Sequence, residues 1–361
     1  MKICLTGGGT AGHVMPHLAI YPELKLRGWQ VFYIGSFNGI ERSLATKEGI
    51  SYFGISTGKL RRYWSFENFR DVFLILSGIF EAFFILLREK PDLLFSKGGF
   101  VSVPVAYAAF VLRIPVISHE SDVSPGLATR LIKPIATKMM YAFEQNSTSS
   151  DPKASSVVVG LPVRRELSSG SVEKGWKICQ WEADLSPVVL VMGGSLGAAS
   201  LNLAMQKCFD ELTSKFRVIH ICGKAKVNKK LLNSQRYVQF EFLQSELKDV
   251  LALASIVVSR AGATAIFEFL SVKKPMLLVP LLKGSRGDQL LNAKYFSKRG
   301  WAQVLDDFDL EKNPRQIVKK LEELSQGRTI MLDAQSKAKD EWTGIEKTLA
   351  VIQTFGRKIS P

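Results

Sequence analysis

MKICLTGGGTAGHVMPHL, residues Met1–Leu18, decides how the chain is read: an apolar strand-like run passes through a glycine-rich turn into a helical stretch. Gly7, Gly9 and Gly12 satisfy G-x-G-x-x-G, a spacing that lets the backbone turn tightly and approach a ligand at a helix start. The same order of strand, turn and helix returns in VMGGSLGAAS (191–200). Around these two copies, strand-like runs alternate with helical stretches: KICLT, QVFYIGS, DLLFSK, PVISHE and KMMYAF, then PVVLVM, RVIHICG, YVQFEF, SIVVSR and PMLLVP. Such alternation requires right-handed crossovers and parallel sheets, so the expected class is α/β. For 361 residues, two Rossmann-like domains fit better than one large sheet. The polar stretch EQNSTSSDPKASS (144–156), followed by GLPVRREL (160–167), puts the boundary near residue 162, with domains 1–162 and 163–340. Beyond Arg328 the pattern is helical to about Thr354, and the residues alone do not choose the domain on which this tail packs.

With 46% apolar and 22% charged residues the chain can bury two cores and has no disordered composition. Its net charge of +15 is spread over both halves. That balance suits nucleic acid, an anionic membrane or phosphorylated substrates, and selects none of them. No nucleic-acid readout motif is recognisable, so no nucleic-acid partner is expected. Cys4, Cys179, Cys208 and Cys222 are scattered without C-x-x-C pairs, which points to a reducing compartment. The strand-like run from Lys2 leaves no room for a signal sequence, so export is not expected.

A dinucleotide site would need an acidic residue at the end of the second strand to take the ribose hydroxyls. QVFYIGS ends in Gly35 and Ser36 instead, so NAD is not the expected ligand. A phosphate group or a closely approaching sugar fits the turn better, with His13 at the helix start.

Seven stretches occur in a telling order: TGGGTAGHVMPHLAI, SKGGFVSVPVAYAA (96–109), SHESDVSPGLATR (118–130), VGLPVRREL, MGGSLGAASLN (192–202), SRAGATAIFEFLSVKKPMLLVPL (259–281) and GDQLLNAKYF (287–296). Together they resemble the MurG family of peptidoglycan N-acetylglucosaminyltransferases, in the form common in Gram-positive bacteria, across essentially the whole chain. The resemblance implies a GT-B fold, two Rossmann-like domains facing across a cleft, with the C-terminal helix (about 341–361) crossing back to the N-terminal domain. It implies an inverting transfer of N-acetylglucosamine from UDP-N-acetylglucosamine to the 4-hydroxyl of the muramoyl sugar in undecaprenyl-diphosphoryl-muramoyl-pentapeptide. It places the enzyme at the cytoplasmic face of the membrane, alongside other cell-wall synthesis proteins.

Such a displacement needs a base, stabilisation of the departing diphosphate and a grip on the nucleotide. His13 is the first candidate base, since an imidazole titrates near neutrality; capping the helix or binding phosphate is its other reading. Glu120 and Asp122 are rivals, Asp122 standing where the family more often has asparagine. Ser195, in GGSLGA at a helix start, can meet the diphosphate with its hydroxyl and the backbone donors, and the resemblance assigns Arg164 to the donor phosphates, Glu268 to the ribose, the Leu243 region to the uracil and Gln289 to the sugar hydroxyls. Thr10, Ala11 and Gly12, with Gly262, Ala263 and Thr264, complete the implied donor site, and Gly8, Gly9, Gly98 and Gly99 form the implied acceptor-diphosphate loops. Solvent exposure on a helix face is the alternative reading of Glu268.

No metal or other cofactor is expected. Asp307, Phe308 and Asp309 match Asp-x-Asp, but fall in what reads as an acidic loop, and the four histidines show no ligand spacing. VFLILSGIFEAFFILL (72–87) is interrupted by Glu81 and is short for a span of about 20 residues. Its stripe Phe66, Phe69, Phe73, Leu76, Phe80, Phe83 and Leu87 reads as core-facing. Ile75, Ile79 and Leu86 form a second face for lipid, with Arg61, Arg62, Arg88 and Lys90 at the ends to meet anionic headgroups. Full burial of segment 65–90 is the competing reading. Other functions compatible with the composition are transfer to another lipid acceptor such as diacylglycerol, sugar-nucleotide epimerisation, and a non-catalytic sugar-nucleotide-binding module.

Overall fold

In the computed structural model the described residues are 1–58, 66–144, 155–194, 197–231, 234–282, 287–338 and 344–356, with only the backbone described at 66–69 and 155. Ser195, Arg61 and Arg62 lie outside the described residues, as do the side chains of Phe66 and Phe69. The chain forms two compact units, Met1–Arg164 with Glu341–Pro361, and Arg165–Asp340.

The first unit carries β1 (Lys2–Thr6), β2 (Gln30–Ser36), β3 (Ser51–Ile55), β4 (Leu93–Ser96), β5 (Val116–Glu120), β6 (Lys138–Tyr141) and β7 (Ser155–Val158). They pair in parallel in the order β3-β2-β1-β4-β5-β6-β7. Its helices are α1 (Met15–Leu26), α2 (Ile40–Lys47), α3 (Phe66–Glu89), α4 (Ser102–Val111) and α5 (Leu127–Ile132). The second unit runs α6 (Val172–Cys179), β8 (Val188–Met192), α7 (Ala199–Lys207), α8 (Phe209–Lys215), β9 (Arg217–Ile221), β10 (Tyr237–Phe240) and α9 (Leu247–Leu253). It continues through β11 (Ile256–Ser259), α10 (Ala263–Ser271), β12 (Met276–Leu278), α11 (Asp288–Lys298), β13 (Gln303–Val304), α12 (Asp307–Lys312) and α13 (Gln316–Lys337), before α14 (Gly344–Gly356). Its strands pair in parallel as β10-β9-β8-β11-β12-β13. The chain is thus an α/β protein with two parallel sheets.

Strand alternation sorts the cores. In β1, Ile3 and Leu5 face one layer with Leu24 and the α14 residues Ile345, Leu349 and Ile352. Cys4 faces the other, with Ala82 and Leu86 of α3 and Ala106 and Ala109 of α4. Each fully buried aliphatic side chain of α14 contributes about 1.5–3 kcal/mol, which is what holds this terminal helix on the first unit. In both sheets the strand order reverses beside the first strand, between β1 and β4 and between β8 and β11. Crevices beyond the carboxyl ends of strands at such reversals are where open α/β sheets take ligands.

The ten strand-like runs in the sequence all form strands; β3, β7 and β13, which show no such run, are all edge strands. An edge strand pairs on one side only, so it needs no continuous apolar run.

α3 turns the opposite way from its sequence reading. Phe73, Leu76, Phe80 and Leu87, read as core, are exposed, Phe80 to 67%, and Phe84 joins them at 64%. Leu86 is buried and Ile79 packs on the core, where lipid contact was expected; Phe83 does pack inward. Two residues set this rotation. Gly78 lies so close to the Ser56 carbonyl that a Cβ would collide with it. Glu81 accepts from the backbone N–H of Ser56 at 2.5 Å and from its hydroxyl at 2.8 Å. Both faces of the helix are apolar enough to bury, so hydrophobic periodicity could not choose between them. No helix among the described residues is long and apolar enough to cross a membrane.

Candidate active site

In the first unit three loops converge beyond β1, β4 and β5. The turn after β1 runs into a short 3-10 turn, Ala11–His13, that leads into α1. His13 Nδ1 lies 3.1 Å from the Gly8 carbonyl and 3.1 Å from Thr10 Oγ1. A carbonyl only accepts, so Nδ1 carries the proton and Nε2 is the basic nitrogen of the neutral ring. The turn after β4 packs against this imidazole: Gly99 has φ +79°, and a Cβ there would collide with the Gly8 carbonyl and lie 3.1 Å from His13 Nδ1. The two glycine turns and His13 therefore pack against one another.

The groups beside these turns carry charge. Glu41, from the first turn of α2, is fully buried and accepts from Gly9 N at 3.2 Å, Ser36 N at 3.1 Å and Ser36 Oγ at 2.5 Å. A carboxylate does lie at the end of β2, but it holds the glycine turn from below. Lys97, between β4 and the second turn, is 1% exposed; its Nζ lies 2.5 Å from both His119 Nδ1 and Ser121 Oγ. Burial pulls this ammonium down to about 7 against the raising influence of Glu120 and Asp122. Neither Glu41 nor Lys97 was singled out from sequence, because each acts on a loop to which only the fold brings it.

Glu120 is engaged by its own loop. Its carboxylate accepts from Ser121 N, Asp122 N, Gly126 N and Thr129 Oγ1 at 2.6–3.0 Å, so it ties the loop after β5 to the start of α5. Asp122 lies half-buried in that loop. Arg164 is the last residue of the first unit.

In the second unit the glycine turn after β8 and the SRAGAT loop after β11 are joined by buried polar groups. Arg260 donates to the Val279 carbonyl at 3.1 Å and to Ser200 Oγ at 2.6 Å, and pairs with Asp307 at 2.8 Å. Ser200 in turn donates to Asp307 at 2.7 Å, which ties the first turn of α7 to α12. The Asp-x-Asp match thus begins a helix, not a loop, and its first aspartate is spent on Arg260. Among the described residues no three His, Cys, Asp or Glu side chains come together as a metal site. Asn202 donates its amide N–H to the Cys222 carbonyl, and its own Oδ1 lies 3.0 Å from His220 Nε2. His220 is therefore the Nε2–H tautomer, with Tyr237 donating to Nδ1 at 2.6 Å.

Gly262 caps α10, Ala263 is buried and Thr264 half-buried beside it. Glu268, on the second turn, is 7% exposed, which removes the solvated-face reading. Asn292 of α11 donates to the Ala261 carbonyl at 3.1 Å, and Gln289 Oε1 accepts from Leu281 N at 2.9 Å, so α11 is pinned beside this loop. Leu243 is buried after β10.

Residues 3–141 match the glycosyltransferase family 28 N-terminal domain and residues 188–349 its C-terminal domain. The chain is 47% identical over 355 residues, 98% of its length and 99% of the relative's, to a Clostridium botulinum protein. That relative is named UDP-N-acetylglucosamine–N-acetylmuramyl-(pentapeptide) pyrophosphoryl-undecaprenol N-acetylglucosamine transferase. A Geobacillus thermodenitrificans protein of the same name is 50% identical over 84% of this chain and 85% of its own. Among solved structures, Acinetobacter baumannii MurG superposes with a TM-score of 0.73 at 23% identity, covering 98% of this chain and 99% of that one. The UDP-GlcNAc 2-epimerase of Neisseria meningitidis does so at 0.68 and 14% identity, covering 99% and 100%. At those identities the structures speak for the fold alone.

Proposed function

The chain belongs to glycosyltransferase family 28, in its MurG branch, and from that premise we propose that it transfers N-acetylglucosamine from UDP-N-acetylglucosamine to undecaprenyl-diphosphoryl-muramoyl-pentapeptide. The observation that carries this reading is the 47% identity over 98% of the chain to a transferase so named. The same likeness weighs against the epimerase and diacylglycerol readings.

The proposed chemistry draws on these loops. The acceptor's 4-hydroxyl loses its proton to His13 Nε2 as its oxygen attacks the anomeric carbon from the face opposite the diphosphate. The C1–O bond to UDP breaks, and the configuration inverts. Donors of the glycine turn after β8 receive the diphosphate charge, with Ser195 and Arg164 as its assigned contacts. Glu268 and Gln289 hold the ribose and the sugar, and Leu243 lies toward the uracil. Asp122 is the alternative base.

Release of UDP is the direct test. With EDTA present, release that depends on the lipid-linked acceptor and falls about 10²- to 10⁴-fold in His13→Ala is expected. Undiminished turnover in that variant would move the base role to Asp122, and release independent of acceptor would end the transferase reading.

The exposed stripe Phe73, Leu76, Phe80, Phe84 and Leu87, with Arg88 at its end, suits the cytoplasmic membrane surface where the acceptor's tail is anchored. Phe73→Ser/Phe80→Ser/Phe84→Ser protein should float less with anionic vesicles while its stability stays within about 0.5 kcal/mol per site. Equal flotation would remove α3 from the membrane.

A further inference from the structure

Opposite buried charges adjoin the two glycine turns of the first unit: Glu41 is bonded to the first, and Lys97 leads into the second. Glu41 spends its carboxylate on Gly9 N and Ser36, so the first turn has a negative group below it and one fewer amide for an anion. Lys97 leads into the second turn with its ammonium buried against His119 and Ser121, and both of these side-chain partners are neutral. His119 Nε2 lies 2.7 Å from the Gly160 carbonyl, which fixes the proton on Nε2 and leaves Nδ1 to accept from Lys97. Burial holds this imidazole well below its ordinary range, and the cation of Lys97 pushes it further the same way. Ser121 is a hydroxyl. The carboxylates of Glu120 and Asp122 favour the ammonium from nearby, but that of Glu120 is taken up by four donors of its own loop and the bonds of Lys97 go to His119 and Ser121. A cation sealed at 1% exposure without an anion bonded to it is costly to bury. An anion arriving over Gly98 and Gly99 would repay that cost and keep the ammonium protonated.

We propose that Lys97 is a positioning residue for the acceptor's diphosphate, drawing it over Gly98 and Gly99, while the Glu41 carboxylate keeps it off Gly8 and Gly9 and leaves that turn to the neutral sugar. The inference rests on the transfer reaction proposed above. It divides loops of similar sequence into a phosphate turn and a sugar turn, a distinction that glycine spacing does not make. Lys97 does not touch the substrate; it acts through its field and through the Ser121 and His119 contacts that set the loop after β5.

The test is a cycle between a charge in the protein and a charge in the substrate. Soluble short-chain isoprenyl muramoyl-pentapeptides are prepared with a diphosphate and with a monophosphate link, and acceptor KM is measured for wild type and Lys97→Met. The expected result is an acceptor KM raised about tenfold for the diphosphate compound, a clearly smaller rise for the monophosphate, and a UDP-N-acetylglucosamine KM unchanged within about twofold. The same factor on both acceptors, or an equal shift in donor KM, would overturn the proposal and leave Lys97 a structural residue. Lys97→Gln keeps a donor for His119 or Ser121 and supplies the same ratio if the methionine variant is unfolded by circular dichroism. No UDP release from wild type with either acceptor would instead overturn the transfer reaction itself, and this inference with it.

Discussion

The glycine turn after β1 rests on the carboxylate of Glu41, whereas the helix that follows the glycine turn after β8, α7, is held through Ser200 by the Arg260–Asp307 pair and through Asn202 by a neutral histidine. In sequence the two are the same device, a strand running through glycines into a helix. The groups around them differ in sign and chemistry, a carboxylate bonded to the turn itself in one unit and an ion pair bonded to the following helix in the other.

The contrast breaks most severely at Arg260. Arg260→Met leaves Asp307 buried without its cation and Ser200 without one of its partners. We expect a loss of about 3–5 kcal/mol in denaturant unfolding of the second unit, together with weakened UDP-N-acetylglucosamine binding by calorimetry. A variant that unfolds normally and binds the donor as well as wild type would show that the pair does not support α7.

A smaller effect, graded by pH, sharpens the comparison at His220. Burial lowers this imidazole to about 4 from an ordinary 6.5. The folded state therefore binds fewer protons than the unfolded state, and the stability is intact above about 6.5 and lost as pH falls toward 4. The linkage amounts to about 3 kcal/mol by pH 4. His17 and His119 in the first unit are lowered in the same direction by burial, so the informative quantity is the difference between wild type and His220→Gln. That difference should shrink between pH 6.5 and 4, because the variant has no such proton to take up. Parallel stability curves would mean that His220 is protonated in the fold, contrary to its bonds with Tyr237 and Asn202.

Particular residues show how far the sequence could be read. His13, Gly8 and Gly99 come together because short motifs end strands that neighbour one another at the reversal point of the sheet. Glu120 looked like a base by residue type, yet its oxygens are filled by four donors from its own loop, which its spelling in sequence does not reveal. Asp307 looked like half of a metal motif in a loop, and the fold makes it the helix-borne partner of Arg260.

By itself the sequence determined the α/β class, the ten strands that its apolar runs mark and the two glycine turns, because these follow from the local periodicity of side chains and from backbone freedom over a few residues. The tertiary structure alone decided which face of α3 is buried, which carboxylates are taken up by backbone donors and where the Lys97 ammonium is buried. Those outcomes depend on contacts between residues far apart in the chain, such as Ser56 with Glu81, Gly9 with Glu41 and Lys97 with Ser121, where a hydrogen bond or a close backbone approach overrides what either segment favours locally.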